Sequence, residues 1–137
     1  MTAGPTTPGT ELVRRQVEAL ARGDLDGVLG EVAEDVVFDG RAAGDHFEGR
    51  AAVREFLEDW FRAWEALDFE LEEIADLGNG VVFAVVVQDG RPAGGAGHVR
   101  QREGWVYVCA GGAITRLKTS EVEQARAAAG RLTQERA

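Results

Sequence analysis

The chemistry available to this chain rests on a few side chains. Asp39, in Val37-Phe38-Asp39-Gly40, stands at the end of a short apolar run. A carboxylate at the mouth of an apolar hollow is desolvated, its proton affinity rises, and it becomes a usable general base. An aspartate before glycine is equally a common turn residue. His98 offers Asp39 an acid or base partner, because imidazole titrates near neutral pH. A lone strand histidine is more often exposed or structural, and His46 reads as an exposed loop residue. Gln16 falls between Val13 and Leu20 on an otherwise apolar helix face. A buried amide needs partners, so it either bonds neighbouring backbone or donates to a ligand carbonyl.

Trp60, Phe61 and Trp64 are core residues first and pocket wall second, each indole N–H seeking an acceptor. Tyr107 shares a strand face with Trp105 and Cys109. Facing inward, its hydroxyl is a further donor; facing outward, the two aromatics suit a dimer interface. Parity leaves both faces open, since a bulge at Gly104 would exchange them. Cys109 is the one cysteine, so there is no internal disulfide, and no base stands near it to make a nucleophile. No zinc-ligand spacing occurs, and His46 and His98 are far apart, so neither metal nor cofactor is expected.

The elements that must hold these groups follow from capping and period. Thr10 caps a helix carrying Leu12, Val13, Val17 and Leu20, which Gly23 ends. Asp24 caps a short second helix with Leu25, Val28, Leu29 and Val32. Val36 to Phe38 form a strand, and residues 41–49 a loop. A third helix starts near Arg50, and its apolar stripe holds Val53, Phe56, Leu57, Trp60, Phe61, Trp64 and Leu67. The rest is sheet: a strand over Phe69–Ile74, a hairpin at Asn79-Gly80, and Val81–Val87, apolar enough to be buried on both faces. A turn at Asp89-Gly90 precedes a long strand from His98 to Cys109. Gly111-Gly112 then turns into Ile114–Thr119, and Ser120 caps a last helix that Gly130 ends. Three helices and a strand, then consecutive antiparallel strands and a C-terminal helix, make an α+β domain. It spans 10–132, after a flexible arm at 1–9. A strongly bent sheet over helices leaves an opening at one end, where a ligand would sit.

Three stretches, Val17-Glu18-Ala19-Leu20-Ala21-Arg22-Gly23-Asp24-Leu25-Asp26-Gly27, Ala33-Glu34-Asp35-Val36-Val37-Phe38-Asp39 and Phe47-Glu48-Gly49-Arg50-Ala51-Ala52-Val53-Arg54-Glu55-Phe56, carry a family likeness in order and spacing. The chain resembles the nuclear transport factor 2-like superfamily, and within it the SnoaL-like and ketosteroid isomerase branch. The resemblance implies a cone: a curved antiparallel sheet, a partial barrel, packed on three N-terminal helices. It also implies a homodimer through the outer sheet face. In ketosteroid isomerases the base is an aspartate where Asp39 stands, and the enolate is held by a first-helix tyrosine and a protonated late-strand aspartic acid. Gln16 occupies the first of these donor positions, and Gly97 or Gly104 the second. Losing one such donor costs on the order of a hundredfold in rate. Limonene epoxide hydrolases use an Asp-Arg-Asp set; Arg100 or Arg102 could supply the arginine, but Val99-Arg100-Gln101-Arg102-Glu103 has no aspartate beside it.

The formal net charge is -9, which opposes binding to nucleic acid or an anionic membrane. No apolar run approaches the roughly 20 residues that span a bilayer. Met1 to Pro8 has neither the basic start nor the apolar stretch of a signal peptide, so a cytoplasmic location is expected. The Ala-, Gly- and Arg-rich usage suggests a GC-rich bacterial genome. The sequence thus predicts a module binding a small, largely apolar molecule in a pocket lined by Gln16, Val17, Leu20, Phe56, Trp60, Phe61, Trp64 and Tyr107. The alternative is an isomerase or polyketide cyclase of the proton-abstraction type, with Asp39 and His98 as its catalytic pair.

Overall fold

The computed structural model describes residues 6–41 and 44–137. Helix α1 (Pro8–Ala21) begins earlier than the sequence suggests, so Pro8 and Gly9 belong to it rather than to an arm. Thr7, not Thr10, is its cap. The Thr7 hydroxyl accepts from the Thr10 N–H, the Thr10 hydroxyl accepts from the Thr7 N–H, and proline fills the first turn, where no donor is missed. Asp24 caps α2 (Leu25–Gly30) as its sequence implies, accepting from the Gly27 N–H. Val32 leaves that helix to open β1 (Val32–Asp39), and the expected loop contains a short strand, β2 (His46–Glu48), antiparallel to β1.

Helix α3 (Arg50–Arg62) stops at Ala63, so Trp64 and Leu67 are not on its stripe. They open β3 (Trp64–Gly78), where Trp64 faces Pro92 and Leu67 faces Gly90 on β4 (Val81–Pro92). Strand pairing overrides the helical period there. β5 (Val99–Ala110), β6 (Ala113–Ser120) and α4 (Val122–Glu135) complete the chain. Asn79 and Gly80 both take positive φ, the backbone a tight two-residue hairpin requires. Asp89-Gly90 is not a turn. Gly90 lies within β4 opposite Leu67, and the position needs glycine because a Cβ there would meet Ala66 O and Trp64 Cε3, each at 2.8 Å.

The six strands of the described residues run in the order β2-β1-β6-β5-β4-β3. All neighbours are antiparallel except β1 and β6, which are parallel. The sheet is curved and does not close, the cone implied by the resemblance. Val82, Ala84 and Val86 point to the inner core with α1, while Val81, Phe83 and Val85 point outward. The outer set is covered by α4 through Val122, Ala125 and Ala129. That helix is capped by Glu121 rather than Ser120, its carboxylate accepting from the Glu123 and Gln124 N–H groups, and it runs on through Gly130. The middle of the outer face, where a dimer surface was expected, is therefore occupied by the chain's own helix. Among the described residues no helix is long and apolar enough to cross a membrane.

Candidate functional site

Between α1, α3 and the inner face of the sheet lies a cavity of about 360 Å³. Each element supplies its wall by its own period. Gln16 and Leu20 come from α1, Val53, Phe56 and Trp60 from α3, and Val36 and Phe38 from β1. Alternate residues Gln101, Glu103 and Trp105 come from β5, and Gln88 from β4. The rings brace one another instead of filling the space. Phe47 of β2 stacks on Phe56 and Trp60 of α3, with successive centroids 4.7 and 6.2 Å apart, and Phe69, Trp105 and Tyr107 run along the sheet at 6.2 and 6.3 Å.

Four of the polar side chains on this wall, Gln16, Gln88, Glu103 and Arg41, are held in place. Tyr107 is fully buried, facing inward, and its hydroxyl donates to Gln16 Oε1 at 2.7 Å. Burial pushes the Tyr107 phenol well above its ordinary range, so it serves as a neutral donor. The Trp60 indole N–H donates to Gln88 Oε1 at 3.0 Å. Glu103 is buried; its Oε1 accepts from the Trp105 indole N–H at 3.2 Å, and its Oε2 lies 3.7 Å from Arg41 Nη1. The sequence comparison put Gly97 or Gly104 at the late-strand acid position, yet it is the Glu103 carboxyl that reaches the cavity. Glu103 and Gln101 share the parity of Trp105 and Tyr107, so the signal was present once the face of Tyr107 was known. Gln88 continues the inward alternation of Val82, Ala84 and Val86 in the same way.

Of the expected pocket residues, Gln16, Leu20, Phe56 and Trp60 line the cavity. Val17 is buried in the core, Phe61 packs against Phe69 at 6.3 Å, and Tyr107 stands behind Gln16. Trp64 lies 5.7 Å from Trp60, its indole N–H buried without a partner among the described residues. Asp39 does not look into the cavity. Strand alternation sends Phe38 inward and Asp39 to the other side, where it meets His46 Nδ1 at 2.6 Å and Arg116 Nη2 at 3.6 Å. Together with Lys118 and Gln124 these line a polar cleft that adjoins the cavity and shares Gly40, Arg41, Asp45 and Thr119 with it. His46 Nε2 also lies 2.8 Å from Glu48 Oε2, and its hydrogen bonds to Asp39, first, and to Glu48 hold the imidazole above its ordinary range. His98 is not brought to Asp39. It pairs with Asp89 at the far end of β4, on the outward parity of Val85, and Arg100 takes the other oxygen at 3.0 Å. His98, and then Arg100, hold the Asp89 carboxyl below the usual range. Among the described residues no three His, Cys, Asp or Glu side chains are placed to share a metal ion.

Known structures have the same architecture. A candidate polyketide cyclase from Xanthomonas campestris pv. campestris is 28% identical, with a TM-score of 0.70 over 88% of this chain and 95% of that one. A nuclear transport factor 2-like protein of unknown function from Burkholderia pseudomallei is 19% identical, with a TM-score of 0.76 over 88% and 97%. A Mycobacterium tuberculosis protein in complex with estradiol-17beta-hemisuccinate is 21% identical, with a TM-score of 0.73 over 83% and 93%. Residues 13–117 match the SnoaL-like domain, and the chain belongs to that family.

Proposed function

We propose that this protein binds a small, largely apolar carbonyl compound in the cavity between α1, α3 and the sheet. The observation that carries this reading is the Gln16 amide. It sits on an apolar wall with its oxygen committed to Tyr107, which leaves its N–H groups to meet a ligand oxygen. Apolar walls with a few fixed polar groups are what a small-molecule site requires. The Mycobacterium tuberculosis protein of this fold, in complex with estradiol-17beta-hemisuccinate, supports the reading of a small-molecule binder. Trp60 and Trp105 are in the wall, so tryptophan fluorescence reports occupancy directly. Titration with aromatic ketones such as 4-acetylbiphenyl should change the emission and raise the melting temperature, and Gln16→Leu should weaken binding about tenfold. No response to any such ketone would refute the reading.

A second reading is an isomerase or cyclase of the proton-abstraction type, for which Asp39 is the candidate by resemblance and His98 the partner suggested by its titration near neutral pH, although His98 pairs with Asp89 instead. What favours such chemistry is the Glu103 carboxyl inside the wall, beside Arg41. A carboxylate there can take a proton from the carbon next to a ligand carbonyl while an amide N–H holds the developing enolate oxygen. The likeness to a candidate polyketide cyclase supports this. Glu103→Gln should then abolish turnover and leave binding intact, whereas Asp39→Asn should leave both. The opposite pattern would return the base role to Asp39. Two copies pairing through the outer face would have the part around Asp89, Arg100 and Arg102, outside the cover of α4; a monomeric mass by light scattering removes that pairing.

A further inference from the structure

We infer that the ligand is held at both ends: it is an elongated apolar molecule with an acceptor oxygen at each end, one received by Gln16 and the other by Gln88. This rests on the cavity being a ligand site and adds the second acceptor and the length.

The argument starts from what each aromatic donor can do. An indole N–H only donates, so the Gln88 atom 3.0 Å from Trp60 Nε1 is the amide oxygen. The Gln88 NH₂ is therefore turned elsewhere, and no acceptor among the described residues meets it. A tyrosine hydroxyl can donate or accept. Tyr107 is fully buried with Gln16 as its partner. If Tyr107 accepted from the amide, its own O–H would be left without an acceptor. It therefore donates, and the Gln16 NH₂ is the second free donor. Both glutamines are nearly buried, at 3% and 9% exposure, and both are on the cavity wall. Two oriented donors without acceptors on a largely apolar surface are costly unless a ligand or water meets them.

The two donors stand at opposite ends. Gln88 faces Gln101 across the β4–β5 ladder, while Gln16 is held by Tyr107 on the same face of β5. From position 101 to position 107 a strand advances roughly 20 Å. The walls between them are Phe69, Trp105 and the α3 rings. A cavity of about 150 Å³ takes a benzene ring, so about 360 Å³ takes two rings end to end. Gln16 and Gln88 each present a free NH₂ donor, which selects acceptor oxygens of the ketone, quinone or ester kind at the ligand's two ends.

Biphenyl, 4-acetylbiphenyl and 4,4′-diacetylbiphenyl form a matched series, read by tryptophan quenching on the full chain. Each added ketone should tighten binding about tenfold. In Gln88→Leu the diketone should fall to within twofold of the mono-ketone, which turns to Gln16 and is itself little changed. Gln88→Glu keeps the acceptor for Trp60 but removes the NH₂, so the same collapse there separates a lost donor from a damaged fold. Equal affinity of the diketone and mono-ketone for the unmutated chain would overturn the inference while leaving the ligand-site reading intact. So would a diketone advantage that survives in both variants. If none of the three compounds binds, both fall.

Discussion

The commitment of Tyr107 to Gln16 can be measured as a coupling energy. Tyr107→Phe keeps the ring and removes the hydroxyl, leaving Gln16 Oε1 without its donor at a site where Gln16 is 3% exposed. An unsatisfied buried acceptor costs about 1–3 kcal/mol. Gln16→Leu is the mirror case: it strands the hydroxyl of a tyrosine that is 0% exposed, at a similar cost of about 1–3 kcal/mol. Making both changes replaces the bonded pair by apolar groups of similar shape, which can be nearly neutral. The double variant should therefore be less destabilised than the sum of the singles, with a coupling of about 1–3 kcal/mol. Urea unfolding followed by tryptophan emission gives all four stabilities. With a slope of about 1–3 kcal/mol per molar urea, each single change should lower the midpoint by roughly 1 M. Additivity within about 0.5 kcal/mol would mean that the Gln16 amide is not held by Tyr107. The donor geometry on which the ligand reading rests would go with it.

Other outcomes test the frame around the cavity. A Cβ on Gly104 would lie 2.5 Å from Ala125 Cβ and 3.1 Å from Val122 Cα, so Gly104→Ala should lever α4 off the sheet at a cost of about 1–3 kcal/mol, seen in a lowered urea midpoint. His46 has its folded-state pKa raised, first by Asp39 and then by Glu48. The stability it adds is thus fully present below the ordinary value of 6.5 and is lost as pH rises through the raised value. An NMR titration of His46 should show that upward shift and its reduction in Asp39→Asn; an unshifted His46 would break the β1–β2 clasp. Cys109 is pushed by burial to a pKa of about 11, so iodoacetamide at pH 8 should label it far more slowly than the unfolded chain, and equal rates would contradict its placement.

What could be read from the sequence was set by local patterns that tertiary packing happened to respect. Val81–Val87 is apolar at every position because it faces the inner core on one side and α4 on the other. Asn79-Gly80 and Asp24 act through their own backbone chemistry and needed no partner to be recognised. Trp64 and Leu67 extend the α3 stripe at helical spacing, and only their partners Pro92 and Gly90 show that they belong to a strand. The same limit applied to the site. Gln16, Leu20, Phe56 and Trp60 are on helices, where spacing fixes the face, and all four line the cavity, while Val17 and Phe61 on the same helices turn into the core beside it. Asp39 and Glu103 are on strands, where a one-residue choice of parity exchanges cavity for solvent. The pairing of Phe38 with Leu117 and of Asp39 with Lys118 makes that choice for β1, and it cannot be read from β1 alone.

The two faces of the sheet divide the work. On the outer face the fit is made by small residues: Ala125 lies against Gly104, Ala129 is fully buried, and α4 sits down without a gap. On the inner face α3 presents the rings of Phe56 and Trp60, which have fixed size and stack on each other and on Phe47 of β2, so they stand off from a curved sheet. A hollow is what remains when rigid groups meet a concave surface. Such a hollow would be a liability if its ends were also apolar, since nothing would fix its shape. Here the ends are fixed by hydrogen bonds whose donors, Tyr107 and Trp60, belong to the aromatic walls themselves. The same rings that keep the cavity open therefore also aim its polar groups. A change to Trp60 should accordingly alter shape and selectivity together, whereas a change on the α4 side should alter stability alone.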